Sequence, residues 1–340
     1  MLSGWTKAPP AVASAGLLPG RGLEMGKRPD ITIVVPCYNE EAVLRLLHEE
    51  LSRVISQMGE TSFELILVDD GSTDDTLKII AGIHQLDPSV RYISFSRNFG
   101  KEAALLAGLE ASSGTYVAVM DADLQDPPSL LPEMYQAVLT GGFDCAATRR
   151  VSRTGEPPVR SLFARIYFQL MSRISDTQIV DGARDFRLMS RKMVEAILSL
   201  KEYNRFTKGI YSWVGFRTRW FEYENTERAA GVTKWSLRQL FTYSLDGITA
   251  FSTAPLVFAS VAGFILCLIA FVMIGVVVVK TILWGDPVAG YPSLMSAILF
   301  IGGIQLFAVG ILGEYLAKTY LETKNRPLYI IRETSEDPNT

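Results

Sequence analysis

The sequence predicts an α/β protein. A Rossmann-like domain with a parallel sheet is followed by an amphipathic interfacial helix and a hairpin of two transmembrane helices. Two observations lead to this prediction. From residue 31 onward, short β-branched runs alternate with helical patterns, as they do in doubly wound sheets. Near the C-terminus, residues 256–279 and 293–313 carry no charged side chain, and each stretch can cross a hydrocarbon core of about 30 Å as a helix.

The composition excludes several function classes. Lys and Arg total 33 and Asp and Glu total 36, a balance that argues against a nucleic-acid binder, which normally carries a basic excess. The three cysteines have no CxxC spacing, so we expect neither a zinc site nor a disulfide framework, and a reducing compartment is favoured. Only His48 and His84 are present. Acid–base or metal chemistry must therefore rest on carboxylates.

The first 28 residues are rich in Ala, Gly, Pro and Leu but lack a long apolar run behind a basic start. This pattern indicates a disordered leader rather than a signal peptide, with Met25 as an alternative start. Beyond it we expect a soluble domain at 29–232, the interfacial helix at 233–253, two transmembrane helices within 254–316 and a cytoplasmic tail at 317–340. The two spans are expected at about 254–281 and 292–315.

The elements of the soluble domain follow from period and composition. Strands are predicted at 31–35, 64–68, 91–95, 116–120 and 143–147, and helices at 40–58, 74–84, 102–110 and 129–139. In open α/β sheets, ligands bind beyond the carboxyl ends of the strands. The residues that follow each predicted strand are therefore the candidate site.

Polar residues gather at these strand ends. The four clusters, in chain order, are Pro36-Cys37-Tyr38-Asn39-Glu40, Asp69-Asp70-Gly71-Ser72, Ser96-Arg97-Asn98 and Asp121-Ala122-Asp123. Any one of them also suits a turn or a helix cap. Four in succession at one edge of a sheet favour a binding site.

The chemistry available at this edge points to a metal. No G-x-G-x-x-G turn follows the first strand and no P-loop motif occurs, so phosphates cannot be cradled by those backbone devices. A divalent cation between carboxylate and phosphate oxygens is the remaining way to hold a diphosphate. Mg²⁺ and Mn²⁺ often use only one or two carboxylates for this purpose. Asp121 and Asp123, opposite Asp69 and Asp70, supply them.

Basic residues predict the orientation of the two spans. Lys234 and Arg238 precede the first, and Lys318, Lys324, Arg326 and Arg332 follow the second, whereas the loop between them has only Lys280 at its border. The positive-inside rule places both flanks in the cytoplasm. Apolar residues at helical spacing within 233–251 indicate a helix in the headgroup layer; an amphipathic helix packed on the domain is the alternative.

Several longer motifs carry a family resemblance, which extends from residue 30 to about 332. They are VVPCYNEE at 34–41, LVDDGSTDDT at 67–76, FSRNFGKEAA at 95–104, MDADLQDPP at 120–128 and DFRLM at 185–189, together with 228–235 and 313–331. These stretches resemble glycosyltransferase family 2, and within it the polyisoprenyl-phosphate glycosyltransferases. Among these, the chain is most similar to the two-span bacterial enzymes that glucosylate a bactoprenol carrier.

The resemblance implies a GT-A fold and an inverting, metal-dependent transfer. The sugar, with glucose as first choice, would pass from a UDP-sugar to undecaprenyl phosphate for modification of cell-envelope glycans. The chain would be a multi-pass protein of the inner membrane with a cytoplasmic catalytic domain, in contact with membrane lipid and assembled as a homo-oligomer such as a tetramer. Galactose, N-acetylglucosamine, mannose from GDP-mannose and modified arabinose stay open as donor sugars, and dolichyl phosphate stays open as acceptor.

The resemblance also implies roles for individual residues. Pro36, Tyr38, Glu40 and Asp70 would line the nucleoside pocket, with Asp69, Lys101 and Ala122 beside the donor; Asp121, Asp123 and Gln125 would hold Mg²⁺ or Mn²⁺ and the diphosphate; Asp185 would lie near the donor sugar as a candidate base; and Arg149 and Arg165 would hold the acceptor phosphate. Two departures weaken any inference about the sugar. Lys101 stands where many relatives carry His, and Gly182-Ala183-Arg184 stands where others read Thr-Gly.

Three other readings compete with this one. A processive polysaccharide synthase would need a channel for its polymer and a Gln-x-x-Arg-Trp motif, and the chain offers two spans and no such motif. A non-catalytic subunit that binds the carrier lipid is disfavoured by the intact Asp121/Asp123 pair. A nucleotide-dependent dehydrogenase is disfavoured by the missing glycine fingerprint.

Overall fold

The computed structural model describes residues 28–150, 180, 182–223, 248–249, 252–284 and 290–336. The predicted leader, Arg165 and most of the predicted interfacial helix lie outside these ranges, so their predictions stay untested.

One eight-stranded sheet organises the soluble part of the chain. Its strands are β1 (Ile31–Cys37), β2 (Phe63–Asp69), β3 (Val90–Phe95), β4 (Tyr116–Val119), β5 (Cys145–Arg150), β6 (Ala183–Ser190), β7 (Thr218–Tyr223) and β8 (Ile331–Thr334). They lie in the order β7-β5-β6-β4-β1-β2-β3-β8. The first five occur close to their predicted positions, which confirms the predicted α/β fold.

The sheet is mixed rather than wholly parallel. β1 pairs in parallel with β2 and β4, and β2 pairs in parallel with β3. In contrast, β6 runs antiparallel to both β4 and β5, and β8 runs antiparallel to β3. The alternation of strands and helices that predicted a parallel sheet covers only the chain up to β5. Of the strands that follow, β6 and β8 run in the opposite direction, whereas β7 pairs in parallel with β5.

The described helices are α1 (Leu44–Ser56), α2 (Thr76–Leu86), α3 (Lys101–Ala111), α4 (Leu131–Leu139), α5 (Arg191–Ser199), α6 (Thr207–Trp213), α7 (Ala254–Trp284) and α8 (Tyr291–Thr323), with a 3₁₀ turn at Pro128–Leu130. In α1 the buried residues Leu44, Leu47, Leu51 and Val54 recur at the spacing of one helix face. That face packs on the sheet, while charged residues occupy the other side.

Helices cover both faces of the central strands. Ile33 and Val35 belong to the core on one face, whereas Val34 points to the other face, as the period of two in a strand requires. On that second face α3 lies very close to β1. A Cβ atom added at Gly108 would stand only 2.2 Å from Val34 Cγ1. Position 108 therefore requires glycine, because the strand leaves no room for a side chain. This close packing positions the first turn of α3, which enters the candidate site.

The two apolar helices form a hairpin. α7 and α8 pack against each other, and both are long and apolar enough to cross a membrane. Among the residues that the structure describes, their apolar stretches are not buried within the protein. The Tyr315 hydroxyl donates a hydrogen bond of 2.5 Å to the Ser252 carbonyl. Two details differ from the expected division. α8 continues to Thr323, and part of the expected tail returns to the sheet as β8.

Candidate active site

The predicted strand ends meet at one edge of the sheet. Because β1 to β4 are mutually parallel, their carboxyl ends and the loops that follow lie side by side. β6 is antiparallel to β4, and Val119 pairs with Arg187. The beginning of β6 therefore lies at the same edge of the sheet as the end of β4. Continued by two residues, this register puts Asp185 beside Asp121, although 64 positions of sequence separate them.

Lys101 joins these two carboxylates. Its Nζ lies 2.5 Å from Asp121 Oδ1 and 2.5 Å from Asp185 Oδ2. The Asp185 side chain is only 12% exposed, whereas that of Lys101 is 38% exposed. Three residues predicted for the site from separate motifs are thus brought into direct contact.

The charges around Asp185 keep it ionised. Burial alone would raise the pKa of this carboxyl group, but the positive charges of Lys101 and Lys208 outweigh burial and hold the pKa far below its usual range. Conversely, Asp121 and Asp185 raise the pKa of the Lys101 ammonium well above its ordinary value against the opposing effect of burial. The pair is therefore a carboxylate and an ammonium at any physiological pH. A carboxyl group in this state is a weak proton acceptor.

The loops after β1 and β2 are linked by hydrogen bonds. The Asn39 amide donates to Ser72 Oγ at 2.9 Å, and the Thr73 amide donates to Asn39 Oδ1 at 2.8 Å. The Glu40 amide donates to Thr76 Oγ1 at 2.8 Å. These bonds hold the predicted nucleoside-pocket residues on a rigid frame. Pro36 and Glu40 are partly buried here, while Tyr38 is 37% exposed.

Gly71 lets the second loop approach its neighbour. Its φ is +65°, and a Cβ there would lie 2.3 Å from the Arg97 carbonyl carbon. A side chain is therefore excluded both by backbone conformation and by space. The tight turn brings the loop after β2 against the loop after β3.

Asp69 and Asp70 are both buried, and both bind groups within the chain. Asp69 accepts hydrogen bonds from the Ser72 amide at 3.1 Å and the Ser94 hydroxyl at 2.8 Å. Asp70 accepts from the Phe99 amide at 2.6 Å and the Gly100 amide at 2.9 Å. Burial raises the pKa of Asp70 to about 6, and the two backbone donors only partly offset this. These two carboxylates therefore fix the conformation of the loops around the site, in addition to any contact with a ligand.

Sequence reasoning missed a second buried cluster below Asp121. Arg184 Nε donates to Asp126 Oδ1 at 3.0 Å, and its Nη2 donates to Gln125 Oε1 at 3.3 Å. The Tyr223 hydroxyl donates to the same Asp126 oxygen. Burial raises the pKa of Asp126, and the charge of Arg184 opposes the rise. Asp126 Oδ2 is one of the few buried polar atoms in the described residues that lack a hydrogen-bond partner. The signals in the sequence were the departure at Arg184 and the motif MDADLQDPP, which contains both Gln125 and Asp126.

The remaining predicted residues are placed as follows. Arg149, near the end of β5, reaches the same edge and binds Glu222 through Nε at 3.0 Å and through Nη2. Ala122 is buried, and Asp123 is partly buried, with Oδ1 accepting from the Gln125 amide at 3.2 Å. Arg165 is outside the described residues.

Behind the edge, Glu102 accepts hydrogen bonds from the Thr207 amide at 3.1 Å and from the Thr207 hydroxyl, which ties α3 to α6.

The donor set at this edge fits a divalent cation that brings other ligands with it. Asp121 and Asp185 already share one cationic group, the Lys101 ammonium, and their oxygens are the ligand type that Mg²⁺ and Mn²⁺ prefer. Within the described ranges, no three His, Cys, Asp or Glu side chains are arranged to enclose a metal ion. A bound metal would therefore complete its coordination with oxygens of a ligand.

In this chain a mixed α/β sheet with an acidic edge at its parallel strand ends is joined to a hairpin of two apolar helices. Two family models match the chain. Residues 32–198 match "Glycosyl transferase family 2", and residues 246–319 match "GtrB C-terminal hairpin".

Individual relatives match over most of the chain. CsbB of Bacillus subtilis (strain 168), which bears a provisional glycosyltransferase name, is 42% identical over 90% of this chain and 92% of its own length. The "Bactoprenol glucosyl transferase" of Shigella phage SfX is 41% identical over 89% of this chain and 98% of its own. A crystal structure of glucosyl-3-phosphoglycerate synthase from Mycobacterium tuberculosis with Mn²⁺, UDP-glucose and phosphoglyceric acid has 25% identity and a TM-score of 0.43, covering 65% of this chain and 78% of that one.

The chain therefore belongs to glycosyltransferase family 2, with the C-terminal hairpin of GtrB. It has the GT-A fold expected from its motifs, and it is a glycosyltransferase.

Proposed function

We propose that this enzyme transfers a sugar, glucose as first choice, from a UDP-sugar to undecaprenyl phosphate at the cytoplasmic face of a membrane. One observation carries the proposal: relatives matched over nearly their whole length, hairpin included, are named bactoprenol glucosyl transferases. Bactoprenol is a polyisoprenyl carrier, and its phosphate is the acceptor that this chain would use. The product would serve modification of cell-envelope glycans.

The donor would bind over the loops after β1 and β2. The partly exposed Tyr38 would contact the nucleobase. Hydrogen bonds between Asn39, Ser72 and Thr73 hold the loop that carries Tyr38 in place. Pro36, Glu40 and Asp70 would complete the nucleoside pocket from the same side of the edge. A pre-organised pocket of this kind loses little conformational entropy when the donor binds.

The diphosphate would lie across the loop after β4. Asp121 and Asp123, with Gln125, would hold a Mg²⁺ or Mn²⁺ ion there, and Asp69, Lys101 and Ala122 would lie beside the donor. The metal would supply neutralisation of the charge that develops on the leaving diphosphate. Gln125 is itself held by Arg184, so the Asp126–Arg184–Tyr223 cluster supports this loop from below.

The acceptor reduces the need for a general base. A phosphate monoester has its second pKa at about 6, so it is largely a dianion at neutral pH and is already a nucleophile. This agrees with an Asp185 that stays ionised and is bound by Lys101. We assign Asp185 an electrostatic and orienting role near the donor sugar rather than proton abstraction. Arg149, together with Arg165, would bind the acceptor phosphate, Arg149 exchanging its contact with Glu222 for that phosphate.

The hairpin would bring the site to a water-insoluble acceptor. A polyprenyl chain stays in the bilayer, so its phosphate is accessible only at the headgroup plane. α7 and α8 would span the inner membrane, and the interfacial helix would hold the sheet edge at that height. Exposed apolar helix faces would contact lipid and the other copies of a homo-oligomer.

The test is transfer of radiolabelled sugar into extractable lipid. Purified full-length protein would be incubated with undecaprenyl phosphate, Mg²⁺ or Mn²⁺, and a panel of UDP- and GDP-sugars. We expect label in lipid from UDP-glucose alone. Asp123→Ala should abolish it, while Asp75→Ala, which removes an exposed carboxylate that pairs with Lys78, should leave it unchanged.

Each outcome has a distinct meaning. Label from a different single donor keeps the reaction and changes the sugar. Absence of label from every donor, or equal label with Asp123→Ala, would refute the proposed transfer and return the carrier-lipid binding subunit as the better explanation.

A further inference from the structure

Lys101 occupies an unusual position for a basic residue. It is the first residue of α3, and a positive charge at a helix N-terminus is repelled by the helix dipole. Its ammonium nevertheless lies 2.5 Å from each of two carboxylates contributed by other elements. Those carboxylates must therefore hold the side chain there. With Lys101 replaced by an uncharged residue, Asp121 and Asp185 would repel each other and attract another cation.

We propose that Lys101 is a built-in counter-ion that occupies the cation position of Asp121 until the donor arrives. A divalent ion that approaches Asp121 alone meets the positive charge of Lys101 at the very oxygen it needs. A metal that arrives with a nucleoside diphosphate brings negative charge that can replace Asp121 as the partner of the ammonium. Metal alone thus binds weakly, and metal with nucleotide binds well. This inference rests on the proposed function, because it takes Asp121 as a metal ligand.

The contact with Asp185 completes the argument. Lys101 keeps a carboxylate partner when it leaves Asp121, so displacement requires a shift of the side chain rather than loss of every counter-charge. The other cations that act on Asp185 are Lys208 and Arg187. Arg187 stacks on the Tyr211 ring and donates a hydrogen bond to the Arg184 carbonyl, so it does not take the place of Lys101. Lys101 is therefore a positioning residue that decides when Asp121 becomes available.

The experiment measures binding of Mn²⁺ alone to the full chain in detergent, from the electron paramagnetic resonance signal of free Mn²⁺. We expect Lys101→Met to bind Mn²⁺ at least about tenfold more tightly than the wild type, as expected for removal of one charge-assisted contact to the ligand oxygen. Lys101→Arg, which keeps the charge, should behave like the wild type. Lys208→Met is the matched control, since it removes a charge near Asp185 but not the contact with Asp121.

A second pair of variants serves as the control for misfolding. Lys101→Met leaves two carboxylates unpaired, so Asp185→Asn and the double variant Lys101→Met/Asp185→Asn are measured as well. The double variant should bind Mn²⁺ alone more tightly than Asp185→Asn by a similar factor. Thermal unfolding of each protein verifies that the comparison is between folded chains.

The same titration repeated with UDP separates two kinds of failure. If UDP strengthens Mn²⁺ binding to the wild type but Lys101→Met and wild type bind Mn²⁺ alone equally, the inference is wrong and the proposed function stands. An equal gain in Mn²⁺ affinity from Lys208→Met would also overturn the inference. The gain would then come from the loss of any nearby positive charge and not from the loss of the Lys101 contact with Asp121. If UDP does not strengthen Mn²⁺ binding to any variant, the proposed metal site fails and the inference fails with it.

Discussion

Asp70 lies buried beside the loop that leads into α3, where its carboxylate has two backbone amides but little water. Burial raises its pKa to about 6 from the ordinary value of about 3.8. The folded protein therefore holds a proton on this group more tightly than the unfolded chain does. By linkage, this group stabilises the fold fully below pH 3.8, and that stability is lost as pH rises through 6.

We expect Asp70→Asn to remove this pH dependence. Relative to the variant, the wild type should lose up to about 3 kcal/mol of unfolding free energy between pH 4 and pH 7, since a shift of about two pKa units corresponds to that amount. The measurement is the difference in denaturant unfolding between the two proteins at several pH values. Asp75→Asn, a surface carboxylate, is the control. A constant difference across this range would contradict the raised pKa of Asp70.

At the residue scale, the sequence predicted some of the groups that meet at the site but not how they are arranged. Asp121 follows a predicted strand, so its place at this edge followed from the topology of parallel strands, whereas Lys101, the first residue of α3, was singled out only by the family resemblance. Asp185 was likewise singled out only by the family resemblance, because it lies at the beginning of an antiparallel strand. The role of Arg184 was also hidden. Its partner Asp126 is fully buried, and a single sequence does not distinguish a buried Asp from the exposed Asp residues of a loop.

At the element scale, β8 fastens the end of the hairpin to the sheet. The Ser96 amide donates to the Ile330 carbonyl at 2.9 Å, and the Ser335 amide donates to the Tyr92 carbonyl at 3.0 Å. Tyr329 stacks on Phe95 with ring centroids 4.9 Å apart, and its hydroxyl binds Glu110. A short edge strand adds little stability by itself, so these side-chain contacts must supply much of its attachment.

Tyr329→Ala should loosen β8 without unfolding the domain. Loss of the stacked pair and its hydrogen bond is expected to lower the free energy of local opening by about 1–2 kcal/mol, which makes amide hydrogen exchange in Ile331–Thr334 about tenfold faster. Ile330→Ala is the matched control, since this half-exposed neighbour contributes its backbone carbonyl and not its side chain. Unchanged exchange in Tyr329→Ala would show that the backbone pairing alone holds the strand.

The sequence predicted the elements unevenly, for a physical reason. β1 to β4 have apolar, β-branched runs because they are buried on both faces, and such runs are recognisable locally. β8 has only four residues, one of them exposed and charged, and it becomes a strand because β3 offers an open edge. An element that depends on its partner in this way leaves no pattern of its own. For that reason, residues 317–340 read as a tail.

At the scale of the whole molecule, β8 constrains how the chain can meet a membrane. The chain leaves the soluble domain before Ala254 and returns to the same sheet at Ile331, after two apolar helices. The Tyr203 amide also donates to the Glu322 carboxylate, at 2.9 Å to Oε2, at the end of α8. The end of α8 is thus tied to the soluble domain, and the hydrogen bond from Tyr315 to Ser252 ties the beginning of α7 to α8, so both ends of the hairpin lie on one side. This agrees with the distribution of basic residues, which predicted that side to be cytoplasmic.

This topology predicts opposite accessibility for two engineered cysteines. Gly290 lies exposed between α7 and α8, and Arg332 lies exposed in β8. The native Cys37 and Cys145 are buried, and Cys267, which lies within α7, would be replaced by Ala. In intact cells, a membrane-impermeant maleimide should label Gly290→Cys, and Arg332→Cys should react only after the membrane is disrupted. Equal accessibility of both positions, whether in intact cells or only after disruption, would mean that the hairpin does not cross the bilayer. The apolar faces of α7 and α8 would then have to be covered by protein instead of lipid.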